Sequence, residues 1–257
     1  MRFSLWAWLG DDSKSSWEWF GSNDPYYGVL SGDEYRKGNL SDERIKNFFS
    51  SGAAHVDRVA RTVEAHFGGL RTKNCLDFGC GVGRLVIPFA GRFEYVTGVD
   101  VAPSMVREAQ LNCEKFGVRN VDFVSSLRDV REQFDLVHSY IVLQHIPVSQ
   151  GFTEMDAMVE KARPGGICFF HFTIGRNAGV VRKMGTFFRK NFKPIHYFLN
   201  LVEGKQANEA YMQSTEYSLN KFIARLFGKR IREFWIESEN HGGRYSVSVT
   251  FRVPEIY

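Results

Sequence analysis

The sequence predicts an α/β fold built on a doubly wound, mostly parallel Rossmann-like sheet. Three observations carry that prediction. Residues 74–173 alternate short apolar runs with helical stretches, and strands separated by helices pair in parallel through right-handed crossovers. Gly79, Gly81 and Gly83 stand at alternate positions where the first apolar run meets the first helix. The chain closes with two strand-like segments, 230–237 and 245–253, joined by Asn240-His241-Gly242-Gly243. A glycine-rich link of that length is hairpin chemistry.

The elements follow in order. Four of the five tryptophans (Trp6, Trp8, Trp17, Trp19) fall in the first twenty positions. Ser41 suits an N-cap, with Asp42 and Glu43 in the first turn of a helix. A second helix, 53–67, carries Val56, Val59, Ala60 and Val63 at helical spacing and stops at Gly68-Gly69. In the core, 74–78, 95–99, 121–124, 134–140 and 167–173 read as strands. Residues 84–90, 103–116 (Pro103 in its first turn) and 151–162 read as helices. Arg163-Pro164-Gly165-Gly166 ends the last of these. Residues 174–228 look like a mainly helical insertion. In the final strand Ser246, Ser248 and Thr250 alternate with Val247, Val249 and Phe251, which predicts one wetter face. The chain reads as one domain, 1–257: an N-terminal lid with helices (1–70), a core (71–173), a helical cap (174–228) and the hairpin (229–257).

Composition bounds the function. At 257 residues and 44% apolar, the chain can bury a substantial core. A net charge of +4 is too weak to argue for a nucleic-acid partner. Cys75, Cys80, Cys113 and Cys168 have neither zinc-site nor disulfide-framework spacing, so they are expected as free thiols in a reducing cytoplasm. The apolar patch at residues 3–9 is too short for a signal peptide, and no uninterrupted apolar run reaches membrane-spanning length. No metal is expected.

The chemistry sits in Cys75-Leu76-Asp77-Phe78-Gly79-Cys80-Gly81-Val82-Gly83-Arg84. Glycines let the chain turn sharply and let a ligand lie against bare backbone. Donors at the following helix start favour a carboxylate. The next strand ends at Asp100, seventeen residues after Gly83, where a carboxylate can accept from both hydroxyls of a ribose. Glycine-rich strand–helix turns recur in many α/β proteins, and a nicotinamide or flavin fingerprint would place glycine at position 84. Arg84 stands there instead.

These residues resemble the class I S-adenosylmethionine-dependent methyltransferases over roughly residues 74–173. Leu76 to Gly83 is similar to the family's first motif. Val99-Asp100-Val101-Ala102-Pro103-Ser104-Met105 is similar to its ribose-binding strand, and Phe134 to Tyr140 with Leu143-Gln144-His145-Ile146-Pro147 to its fourth strand and exit loop. The resemblance implies a seven-stranded sheet with the last strand antiparallel, and S-adenosyl-L-methionine as cofactor. It implies Asp77, Gly79, Cys80, Gly81, Gly83, Arg84, Asp100, Val101, Ser126, Leu127, Ser139 and Tyr140 around that cofactor. Where the family often sets an acidic residue against adenine, this chain has Val124-Ser125-Ser126-Leu127-Arg128-Asp129. Ser126 or backbone groups are the expected substitutes, ahead of Asp129.

Methyl transfer from a sulfonium is an in-line displacement in which the protein supplies alignment and dryness. A hydroxyl acceptor also benefits from a positioned base, usually histidine. His145 and His171 both fall at the carboxyl edge of the sheet and are the candidates, while His138 reads as packed. The alternative for His145 is a structural place in its Gln-His-Ile-Pro turn. Ser139-Tyr140-Ile141-Val142 lacks the Asn-Pro-Pro-Tyr cassette of nucleobase or amide nitrogen acceptors, which leaves oxygen acceptors on small molecules or saccharides. Tyr26 and Tyr27 are the acceptor-binding candidates in the aromatic N-terminal segment, where most rings are expected to pack. Residues 176–193 carry Arg176, Arg182, Lys183, Arg189, Lys190 and Lys193 and no acid. That run predicts a solvated cap, an anionic-acceptor lid using Arg182, or a peripheral membrane contact. The expected function is an O-methyltransferase; the alternatives are an N- or C-methyltransferase and an inactive cofactor-binding partner protein.

Overall fold

A computed structural model describes residues 13–177, 189, 192–241 and 243–255. Arg182 and most of the basic run lie outside the described residues, as do Trp6 and Trp8. Seven strands form one sheet: β1 (Asn74–Phe78), β2 (Tyr95–Val99), β3 (Val121–Val124), β4 (Phe134–Ser139), β5 (Ala162–Arg176), β6 (Phe234–His241) and β7 (Arg244–Arg252). Their order is β3-β2-β1-β4-β5-β7-β6, parallel except for β7, which runs antiparallel to both its neighbours. The doubly wound, Rossmann-like sheet with an antiparallel C-terminal hairpin is thus as the sequence predicts. The order reverses between β1 and β4, and open α/β sheets bind ligands in the crevice at such a switch point.

The helices are α1 (Ser13–Asn23), α2 (Pro25–Val29), α3 (Asp42–Phe67), α4 (Val86–Ala90), α5 (Pro103–Lys115), α6 (Val148–Lys161), α7 (Lys193–Val202) and α8 (Leu219–Gly228). Apolar residues of α3, α4 and α5 cover one face of the sheet, including Val59, Val63, Phe89 and Cys113. The other face packs on α6 and α8 through Phe152, Met158, Phe222 and Leu226. The abundance of phenylalanine is explained here: Phe169, Phe170, Phe172, Phe222 and Phe251 are all buried.

Three expectations need correction. Residues 42–67 form one helix rather than two, capped by the Ser41 hydroxyl and ended by Gly68 in the left-handed conformation. Its Gly52 lies so close to Arg84 that a Cβ would sit 2.3 Å from the Arg84 carbonyl oxygen, so packing overrides the poor helix propensity of glycine. The last strand has no wet face, because Ser246, Ser248 and Thr250 are all buried. Their hydroxyl neighbours explain the alternation: Thr173 lies 3.2 Å from Ser246 and Glu239 accepts from Ser248. Residues 203–218 lie between α7 and α8 without helix, so the insertion is only partly helical. Among the described residues no helix is long and apolar enough to cross a membrane.

Candidate active site

The glycine turn after β1 is fixed by its own backbone. Gly79, Gly81 and Gly83 have φ of 74°, 53° and 83°, a region that L side chains rarely enter. The N–H groups of Gly79 and Cys80 donate to the Val99 carbonyl at 2.7 and 3.1 Å, tying the turn to β2. At the end of β2 the Asp100 carboxylate accepts from Gly81 N at 2.9 Å and Ala102 N at 3.0 Å. Burial raises its carboxyl to about 6 despite those two donors. A Cβ on Gly79 would come within 2.3 Å of Val142, and one on Gly81 within 2.6 Å of Val29. Both valines wall the crevice that opens above the turn, whose volume is about 440 Å³.

Asp77, Gly79, Cys80, Gly81, Arg84 and Asp100 line that crevice from the first two strands; Val101, Ser126, Leu127 and Tyr140 complete its walls. Arg84 is buried, donates to Ser51 Oγ at 3.2 Å, and leaves its Nε with no hydrogen-bond partner among the described residues. A buried guanidinium donor aimed at nothing is costly unless an anion completes it. Ser126 caps the short turn Leu127–Asp129, its hydroxyl accepting from Arg128 N. Asp129 is exposed and does not line the crevice, whereas Gln150 and Glu154 of α6 do.

Beneath the crevice a buried polar chain runs through the protein. His138 Nδ1 lies 2.8 Å from Asp77 Oδ1, and His138 Nε2 lies 2.9 Å from His55 Nε2. His55 Nδ1 lies 3.3 Å from an Arg58 nitrogen, and Arg58 donates to Glu239 at 2.6 Å. Arginine can only donate, so the proton positions follow by elimination. His55 Nδ1 accepts, His55 Nε2–H donates to His138, and His138 Nδ1–H donates to Asp77. Burial drives the His55 imidazole far below its usual range, consistent with a neutral ring in this chain. Tyr140 stacks on His55 at 3.9 Å and donates to Glu239 at 3.3 Å.

A second space of about 630 Å³ adjoins the crevice, and Gly28, Val29, Ile141 and His145 line both. Ile141 holds φ at 64°, a strained conformation for a β-branched residue, of order 1–3 kcal/mol. Its N–H points to His171 Nδ1 at 3.4 Å. His171 Nε2 faces Glu239 at 3.9 Å, so both ring nitrogens of His171 look into protein. His145 differs. Its Nδ1 donates to the Gln213 carbonyl at 2.7 Å, which leaves Nε2 as the lone-pair nitrogen, 3.2 Å from the Gln144 amide. Thr173 donates to Gln144 Oε1 and so fixes which end of that amide faces the ring. Burial lowers His145 to about 4, so its ring is neutral near pH 7.

Residues 75–166 match the family model described as a methyltransferase domain. The matched segment runs from β1 to the start of β5 and includes the glycine turn and Asp100. Ubiquinone biosynthesis O-methyltransferase of Idiomarina loihiensis is 35% identical over 120 residues, covering 45% of this chain and 48% of that protein. The Acinetobacter baylyi protein of the same name is 32% identical over 120 residues, 45% and 49% of the two chains. The chain thus spans about half the length of the curated relatives it matches. Magnesium protoporphyrin IX methyltransferase from Synechocystis PCC 6803, solved with S-adenosylhomocysteine, shares the fold. Its TM-score is 0.62 at 21% identity, over 94% of this chain and 99% of that one. The N-methyltransferase NodS of Bradyrhizobium japonicum WM9 gives 0.59 at 18% identity, over 95% and 100%.

The structure gathers most of the residues that the sequence marks. Ten of the twelve cofactor-side candidates line the crevice. Gly83 instead packs against Ala109 of α5, and Ser139 is wholly buried in β4. His145 stands at the junction of the two spaces and His171 and Tyr27 line the larger one. Tyr26 faces away, its hydroxyl bonded to Glu108 and Asn112. His55, Arg58 and Glu239 were not singled out. His55 shares the buried stripe of α3 with Val56 and Val59, a histidine at a core position, which is the one signal that marks it. Among the described residues no three His, Cys, Asp or Glu side chains group as a metal site.

Proposed function

We propose that this chain is an S-adenosylmethionine-dependent O-methyltransferase that binds its cofactor in the smaller crevice and a hydroxyl-bearing small molecule in the larger cavity. When bound, the cofactor supplies an electrophilic methyl group on a sulfonium. The crevice suits its chemistry. Asp100 keeps lone pairs for the two ribose hydroxyls, since a carboxylate has about four acceptor sites and two are used. Arg84 Nε would meet the methionine carboxylate, and Asp77, oriented by His138, the ammonium. Val101 and Leu127 offer apolar walls to adenine, with Ser126 nearby.

The observation that carries the reading is the meeting of the two spaces at His145. A hydroxyl there can take the place of the Gln144 amide on Nε2, and the neutral imidazole accepts its proton as the nucleophile forms. The Gln213 carbonyl then stabilises the imidazolium through Nδ1–H. Trp17, edge-on to His145 at 5.0 Å, and Phe20 keep water from this point. His171 is the lesser candidate for the base, because Ile141 N–H occupies one nitrogen and Glu239 faces the other. Oxygen as acceptor atom is supported by the O-methyltransferase names of the sequence relatives. The four buried free thiols suit a reducing cytoplasm. The test is methyl transfer from labelled cofactor to a panel of hydroxylated, amino and carboxylated small molecules. Label on oxygen, lost in His145→Ala, is the expected result; label on nitrogen alone, or transfer unchanged in that variant, overturns the assignment.

A further inference from the structure

Asp77 is the last member of a side-chain series that starts at Glu239 of β6 and passes through Arg58 and His55 of α3 and His138 of β4. His55, His138 and Asp77 are all buried. Neither imidazole is free to turn. His138 is stacked on Phe169, with 15° between the planes, and meets Phe89 edge-on. His55 is stacked on Tyr140 and meets Phe169 edge-on. With both rings held by packing, only the place of each proton is left open, and the partner on the opposite nitrogen decides it. Arg58 can only donate, so the His55 proton sits on the nitrogen facing His138, and the His138 proton on the nitrogen facing Asp77. The other tautomer of His138 would set a ring lone pair 2.8 Å from a carboxylate oxygen.

This arrangement engages one oxygen of Asp77. The other has no hydrogen bond among the described residues, on a side chain that lines the crevice. Buried polar groups are costly, and apolar contacts alone would hold α3 against the sheet. What the polar series adds is a fixed orientation for Asp77. We propose that His55 is a positioning residue for the cofactor: through His138 it holds the Asp77 carboxylate with its second oxygen turned to the cofactor's ammonium group. The inference rests on the cofactor reading given above.

The experiment takes the ratio of two affinities by calorimetry: S-adenosylhomocysteine against its analogue without the amino group, which keeps adenosine, sulfur and carboxylate. General damage to the crevice weakens both ligands, so the ratio reads the ammonium contact. The parent should prefer S-adenosylhomocysteine, and His55→Leu should reduce that preference about ten-fold. His55→Gln, whose amide can donate to His138 in the same direction, should restore most of it. In Asp77→Asn the preference should already be lost, and adding His55→Leu should change the ratio no further. An unchanged ratio in His55→Leu, an equal loss in His55→Gln, or a further loss in the double variant overturns the proposal. Should His55→Leu not fold, proton resonances of the parent decide. The exchange-protected imidazole N–H of His138 should move on adding S-adenosylhomocysteine and stay in place with the deaminated analogue; equal shifts with both overturn the proposal. A parent that binds neither ligand overturns the cofactor reading and this one with it, whereas a parent that binds both without preference overturns this one alone.

Discussion

The two spaces that meet at His145 are built in different ways. The crevice is made chiefly from the ends of β1 to β4 and the turns that follow them, with α1, α2 and α6 closing its rim, so most of its shape is set by backbone conformation over short stretches. The larger cavity draws its walls from residues 20–31, 141–145, 171–176, 189, 196–214 and 244–246. No single stretch decides it. A sheet edge supplies a cofactor site almost by construction, while acceptor recognition is assembled from segments that tolerate change.

That contrast is open to direct attack, and the largest effect should come from the acceptor side. His145→Ala is expected to lower kcat by about 10²–10⁴ while leaving the Kd for S-adenosylhomocysteine unchanged. His171→Ala should cost about ten-fold or less, through packing. Equal losses in the two would erase the distinction between them. The mirror experiment strikes the crevice. Gly79→Ala forces an L residue to φ of 74° with its Cβ 2.3 Å from Val142. Nucleoside affinity should fall about 100-fold, read by calorimetry.

A third test uses pH. The folded Asp100 titrates near 6 against an ordinary 3.8. Its ionisation therefore opposes folding: the stability it allows is fully present below about 3.8 and is lost as pH rises through about 6. Ribose hydroxyls prefer the carboxylate, so nucleoside affinity should strengthen as pH rises to 6 and weaken by up to about ten-fold per unit below it. Asp100→Asn should flatten that dependence at lower affinity. Meanwhile kcat at saturating cofactor should stay level down to about pH 5, because His145 titrates near 4. The smallest effect separates neighbours. Tyr26→Phe should cost about 1 kcal/mol of stability by removing the bonds to Glu108 and Asn112, with turnover unchanged. Tyr27→Phe should alter KM for the acceptor and leave stability alone.

What the sequence reveals follows the same division. Gly79, Gly81 and Asp100 are legible because each answers to a local rule: a positive φ, a close approach, a carboxylate at a strand end. The doubly wound, mostly parallel class of the sheet is legible because alternating strands and helices admit few topologies. Tyr26 and Tyr27 are not separable in this way, since adjacent residues on a helix of 5 residues point in different directions and only the tertiary contacts say which faces the cavity. Arg58 and Glu239 are 181 residues apart, and no periodicity announces that they pair. The hydroxyl stripe of β7 misleads for a related reason. Alternation of serine with valine reads as a solvated face, but Thr173 and Glu239 give the Ser246 and Ser248 hydroxyls buried partners.

Calorimetric titration of the full chain with S-adenosylhomocysteine tests the central claim most directly, with an NAD-type dinucleotide as the comparison ligand. A single saturable binding event for the former and none for the latter is the predicted result. A folded protein that gives no heat and no thermal shift with S-adenosylhomocysteine, or that binds the dinucleotide in its place, would contradict it.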